Sequence, residues 1–147
     1  MTRILFFHSA PDRLSIAAEW LRRAWGRRQE VTIYAPHPEV AGRIDRLLWT
    51  QPATDFLPHC RAAASLAGET PILIADRIDS LDKISRDRCL LNLSDEVPPG
   101  FSRFGEVVEI VSTQDADRLP ARDRFRFYRE HGHAPENRDV SGGLQDE

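Results

Sequence analysis

Arg3-Ile4-Leu5-Phe6-Phe7-His8-Ser9-Ala10-Pro11-Asp12 begins as a short apolar run rich in strand-forming residues and ends on turn residues. From Leu14 the period changes to that of a helix. Leu14, Ala17, Ala18, Leu21 and Trp25 share one face, while Glu19, Arg22 and Arg23 lie off it. A buried strand therefore leads into an amphipathic helix that packs on the sheet and ends near Gly26. Downstream the same alternation repeats. Glu30 to Ala35 reads as a second strand, and Pro36-His37-Pro38 leads into a second helix with the core stripe Val40, Ile44, Leu47 and Leu48, ending near Thr50.

Pro71 to Ala75 gives a third strand, Ser80 to Ser85 a short helical turn, and Arg88 to Leu93 a fourth strand. Glu106 to Val111 gives a fifth, followed by a last helix running to about His131. Most of these strands are continuous apolar runs, as expected when helices cover both faces of a sheet. The fold class is α/β: one three-layer sandwich around a mostly parallel sheet. With 147 residues the chain suits a single domain over residues 1–133, and the polar residues 134–147 are expected to form a flexible tail.

Such a fold raises the question of nucleotide binding, which needs a glycine-rich turn after the first strand. Here the turn is His8-Ser9-Ala10-Pro11. The eight glycines form no G-x-G, and no GK[ST] occurs. Asp76, Asp79 and Asp82 follow the third strand, where an α/β enzyme could hold Mg²⁺ or phosphorylate an aspartate, so a small nucleotide- or Mg-dependent phosphoryl-transfer enzyme is the alternative reading. A polar loop with a helix cap accounts for the same residues. The five histidines are dispersed, two cysteines (Cys60 and Cys89) suit neither a disulfide framework nor a cysteine zinc site, and Ser94 has no glycine-flanked elbow. Nothing here makes an enzyme more likely than a binding module, and no metal or cofactor is expected. The apolar runs are too short for a membrane span and no leader pattern precedes Ile4, so a reducing cytoplasm is the expected location.

Charge is more informative when partitioned. The net value is −3, with 19 of the 20 basic residues being arginine, too balanced for non-specific nucleic-acid binding by the whole molecule. Yet five arginines against Asp123 give Arg118–Arg129 a charge of +4, leaving −7 elsewhere. Pro120 places the start of this helix near Asp117, a plausible N-cap. At about 100° per residue, Arg118, Arg122, Arg126 and Arg129 fall within an arc of about 80°, beside Ala121, Phe125 and Tyr128. Arginine forks next to an aromatic side suit a short acidic ligand with an apolar terminus. Single-stranded nucleic acid is a rival ligand, and a solvated helix with Phe125 and Tyr128 in the core is the plain structural reading. Four like charges on one face also call for an acidic compensator, internal or external.

A second surface lies at Leu47-Leu48-Trp49-Thr50-Gln51-Pro52-Ala53-Thr54-Asp55-Phe56-Leu57-Pro58-His59. Trp49 is at least about 100° from every member of its helix's core stripe, so it is exposed or covered by the following loop. Trp49 and Phe56 with Pro52 and Pro58 have the composition of an interface anchor, or of a small local core.

Three blocks, Leu48-Trp49-x-x-Pro52-x-x-x-Phe56-x-Pro58-His59, Leu91-Asn92-Leu93 with Phe101 and Phe104, and Ala121-Arg122-Asp123-Arg124-Phe125-Arg126-Phe127-Tyr128-Arg129, resemble the chi subunit family of bacterial DNA polymerase III, in the same element order to about His133. The resemblance implies a non-catalytic accessory protein of the clamp-loader complex with a nucleotide-binding-like topology and no phosphate loop. It implies two protein partners, the psi subunit and the acidic C-terminal tail of single-stranded DNA-binding protein, with nucleic acid reached only indirectly. Carried onto this sequence, the tail-binding residues are Arg122, Phe125, Arg126 and Arg129, with Val111 as a pocket wall. The psi-binding residues are Trp49, Pro52, Phe56 and Pro58, a surface that a helicase could also use. Phe125 and Arg126 stand here where some relatives carry Tyr and Lys, so this chain keeps the charge and lacks a hydroxyl.

Overall fold

A computed structural model describes residues 2–50, 59–61, 71–78 and 87–144. Its elements are β1 (Arg3–Ala10), α1 (Arg13–Gly26), β2 (Val31–Tyr34), α2 (Pro38–Thr50), β3 (His59–Arg61), β4 (Ile72–Ala75), β5 (Cys89–Asn92), a 3-10 turn (Phe101–Arg103), β6 (Glu106–Ser112), α3 (Asp115–Glu130) and β7 (Glu136–Asp139). The strands form one sheet in the order β3-β4-β2-β5-β6-β1-β7, with every neighbouring pair parallel. All residues of β2, β4 and β5 are buried, which is the physical content of their unbroken apolar runs.

Helices α1 and α2 cover one face. Leu14, Leu21, Ile44 and Leu48 pack there against Leu5, Phe7, Ile33, Leu91, Val108 and Ile110. On the other face α3 and the 3-10 turn cover Ile4, Phe6, Leu90, Val107 and Val111, with Phe104 and Tyr128 fully buried. Gly100 adopts φ 83°, a left-handed backbone that favours glycine, and so turns the chain into the segment that delivers Phe104.

At the N-terminus of α1 the chain supplies its own anion. Asp12 caps the helix, its Oδ2 accepting the Ser15 N–H at 2.9 Å, and hydrogen bonding by the Ser15 side chain, then by that backbone N–H, holds the Asp12 carboxyl below its ordinary value. A carboxylate of the chain itself thus occupies the helix end where a phosphate would be received.

Three expectations need correction. Residues 134–147 are not all tail: Glu136–Asp139 pairs with β1 as an edge strand, and Val140 is buried in the main core. The strand Glu136-Asn137-Arg138-Asp139 is wholly polar, so no apolar signal marks it, and charge on an edge discourages further strand pairing. β7 and the three-residue β3 add to the five expected strands. Finally, α3 starts before Asp117. Gln114 is the flanking residue, Asp115 and Asp117 lie in the first turn, and Asp117 accepts the Ser112 hydroxyl instead of capping. Pro120 is then the sixth helical residue, and the helix forgoes the hydrogen bond its N–H would have made to the Ala116 carbonyl.

Candidate functional site

On α3 the buried positions are Ala121, Arg124 and Tyr128. Their burial rotates Arg118, Arg122, Arg126 and Arg129 into solvent, as the helical arithmetic requires. Phe125 sits at the boundary, half-buried, its ring edge-on to Phe6 with centroids 5.2 Å apart. Arg122, Phe125, Arg126, Arg129 and Glu130 line an open cavity of about 440 Å³. Four of the five expected tail-binding residues therefore meet at one place. Val111 does not line that cavity; it is buried in the cluster on which Phe125 packs.

The arginine face is partly compensated from within. Arg118 pairs with Asp115, and Arg126 stands 3.9 Å from Asp123, both side chains being well exposed. Pairs of this kind contribute roughly 0–1 kcal/mol, so they hold the guanidinium groups loosely. Arg122 and Arg129 have no ion pair among the described residues.

A second, larger cavity of about 970 Å³ is bordered by Arg3, Arg23, Arg27 and Arg138, together with Phe7, Trp20 and Val140. There three of the four arginines meet carboxylates, Arg3 with Glu136 at 2.6 Å and Glu106 at 3.5 Å, Arg23 with Glu19 at 3.4 Å, and Arg138 with Glu136 at 4.0 Å, while Arg27 has no ion pair among the described residues. Size favours this cavity as an anion site, but the smaller one has the larger share of arginines without an ion pair among the described residues.

Beneath α3 lies a polar cluster that sequence reasoning missed. Glu109, in the middle of β6, is fully buried and has Asn92 and Phe6 as its register partners on β5 and β1. Arg124 Nε donates to its Oε1 at 3.0 Å, Tyr128 OH to its Oε2 at 2.8 Å, and Asn92 Nδ2 approaches both oxygens at 3.1 and 2.9 Å. Burial, then the adjacent carboxylate, push the Tyr128 phenol far above its ordinary value and keep it a donor. Arg13 reaches in from α1, donating to the Ser94 carbonyl at 2.8 Å and lying 3.9 Å from Asp117. The available signal was one carboxylate inside Val107-Val108-Glu109-Ile110-Val111, since a charge in an otherwise apolar strand requires partners.

At the second surface the structure places only Trp49; Pro52, Phe56 and Pro58 lie outside the described residues. Trp49, near the end of α2, is 60% exposed and leans on the His59 ring with centroids 4.8 Å apart. The His59 side chain is buried, its Nε2 3.2 Å from Asp45 Oδ1. Of the aspartates in the alternative reading, Asp76 is exposed, whereas Asp79 and Asp82 lie outside the described residues. Cys89 is a buried free thiol.

The family model for the DNA polymerase III chi subunit, HolC, matches residues 1–136. The chain belongs to this family. Among its relatives, the DNA polymerase III subunit chi of Pseudomonas aeruginosa is 31% identical over 137 residues, covering 90% of this chain and 93% of that protein. The Escherichia coli K12 subunit chi is 32% identical over 126 residues, with 84% and 82% covered. That of Haemophilus influenzae is 29% identical over 119 residues, with 80% of each covered. Family membership thus spans nearly the whole α/β body, α3 and its arginines included. Together with the fold it assigns the chain to DNA replication as a chi subunit of DNA polymerase III.

Proposed function

We propose that this protein is a non-catalytic adaptor of the clamp-loader complex, holding the acidic C-terminal tail of single-stranded DNA-binding protein on α3 and the psi subunit on the Trp49 surface. The convergence of Arg122, Phe125, Arg126 and Arg129 on one cavity carries this reading. Arginine forks accept carboxylates in pairs, and the ring of Phe125 offers an apolar border for a terminal aromatic side chain. Weak single-site binding suffices when many tails coat one DNA strand, because avidity replaces affinity.

The Asp12 cap weighs against the phosphoryl-transfer alternative, since a second anion at that helix end meets a carboxylate already in place. Trp49, exposed at the end of α2, suits a protein anchor, for psi or for a helicase using the same surface. Cytoplasmic location follows from a role in replication; among the described residues no helix is long and apolar enough to cross a membrane.

Calorimetric titration with an acidic peptide ending in an aromatic residue and a free carboxylate tests the first surface. Saturable binding that weakens as salt rises is expected. Absence of heat at low salt, with a thermal shift from nucleotide and Mg²⁺, would favour the enzyme instead. At the second surface, Trp49→Ala should abolish psi co-purification and leave peptide binding intact.

A further inference from the structure

The outer face of α3 is only as well defined as the helix's rotation about its own axis, and apolar burial alone does not set that rotation. The inward stripe is one small residue, Ala121, the charged Arg124, and Tyr128, whose ring packs edge-on to Phe6 and Phe101 and is the stripe's one large apolar surface. Phe125 and Phe127 flank the stripe about equally, at roughly 100° to either side of Arg126, and each is half-buried. A helix rolled by a few tens of degrees would bury one ring further and expose the other, with little net change in apolar area.

Directional bonds supply the missing constraint. Arg124 and Tyr128 are four residues apart, on successive turns, and each holds a different oxygen of the same carboxylate, at 3.0 and 2.8 Å. Two contacts separated along the axis restrict both roll and slide. Asn92 grips the same carboxylate from β5, so the anchor itself cannot swing. Among the described residues the ion pair of Arg124 is with Glu109, and its buried Nη1 makes no hydrogen bond that could compete with it.

We propose that Glu109 is a positioning residue of the acidic-peptide site, clamping Arg124 and Tyr128 so that Arg122, Arg126 and Arg129 converge on the cavity beside Phe125. The proposal rests on the tail-binding reading above. Glu109 touches no ligand; it acts through the roll of α3.

The experiment is a double-mutant cycle on the full chain, with the acidic aromatic-ended peptide as ligand. Tyr128→Phe deletes one hydroxyl and keeps the ring, and should weaken binding about three- to tenfold while circular dichroism shows a folded protein. In an Arg126→Ala background the same change should cost less, because one of the three groups being positioned is gone. Glu109→Asp, which keeps the carboxylate, should restore more binding than Glu109→Gln; should the latter fail to fold, Tyr128→Phe carries the test alone. Unchanged affinity in folded Tyr128→Phe, or an equal loss in both backgrounds, overturns the positioning role while leaving the site intact. No binding by the unaltered protein overturns the site and this proposal together.

Discussion

The two faces of α3 use the same residue type for opposite ends. Arg124, facing inward, is buried against Glu109 and shares that carboxylate with Tyr128 and Asn92. Arg126, two residues on, is largely exposed and 3.9 Å from an equally exposed Asp123, while Arg122 and Arg129 have no ion pair among the described residues. An arginine count therefore says little. Whether a protein can lend an arginine to a ligand depends on whether its own carboxylates already satisfy it, as they do for Arg3, Arg23 and Arg138 around the larger cavity on the α1 face.

The hardest blow to the inner face is Glu109→Ala. It strands Arg124 in the interior, and a loss of about 3–5 kcal/mol in denaturant unfolding is expected; a loss under about 1 kcal/mol would erase the contrast between the faces. Arg126→Ala should do the reverse, weakening the acidic peptide by about 1–3 kcal/mol in calorimetry with a nearly unchanged melting temperature. Unaltered affinity would remove Arg126 from the site.

Alkaline pH separates the faces more gently. Because folding raises the Tyr128 pKa, the unfolded chain loses that proton first. Its stabilising contribution is complete below about pH 10 and declines as pH rises above it, by up to about 1.4 kcal/mol per pH unit. Tyr128→Phe should flatten the slope of stability against pH in that range, and an identical slope would deny the phenol its role. The smallest change is Asp123→Asn, which releases Arg126 from a loose ion pair and should tighten peptide binding by less than about 1 kcal/mol. Weaker binding would show that Asp123 orients the guanidinium instead of competing for it.

How legible each region was in the sequence follows from the same physics. β2, β4 and β5 could be located from their apolar runs because both their faces are covered. The polar edge strand β7 could not, since backbone pairing with β1 leaves no mark on side-chain choice. The outward arc of α3 follows from helical geometry alone, and so does the cavity's arginine set. What the arc faces away from was hidden: Arg124 looked like one more charge on a basic helix until Glu109 was placed beneath it by the β5-β6-β1 register. Of the Trp49 surface, the sequence names four residues and the described structure places one.

The position of β1 between β6 and β7 has a consequence during synthesis. Its first backbone partner, at Glu106, follows Arg3 by 103 residues, so Ile4-Leu5-Phe6-Phe7 leaves the ribosome with no strand to join. The strand β1 must wait, shielded at most by α1, until β6 has emerged. A topology dominated by such distant pairings folds slowly. In the meantime an unpaired run of four large apolar residues is the segment most in need of protection from aggregation.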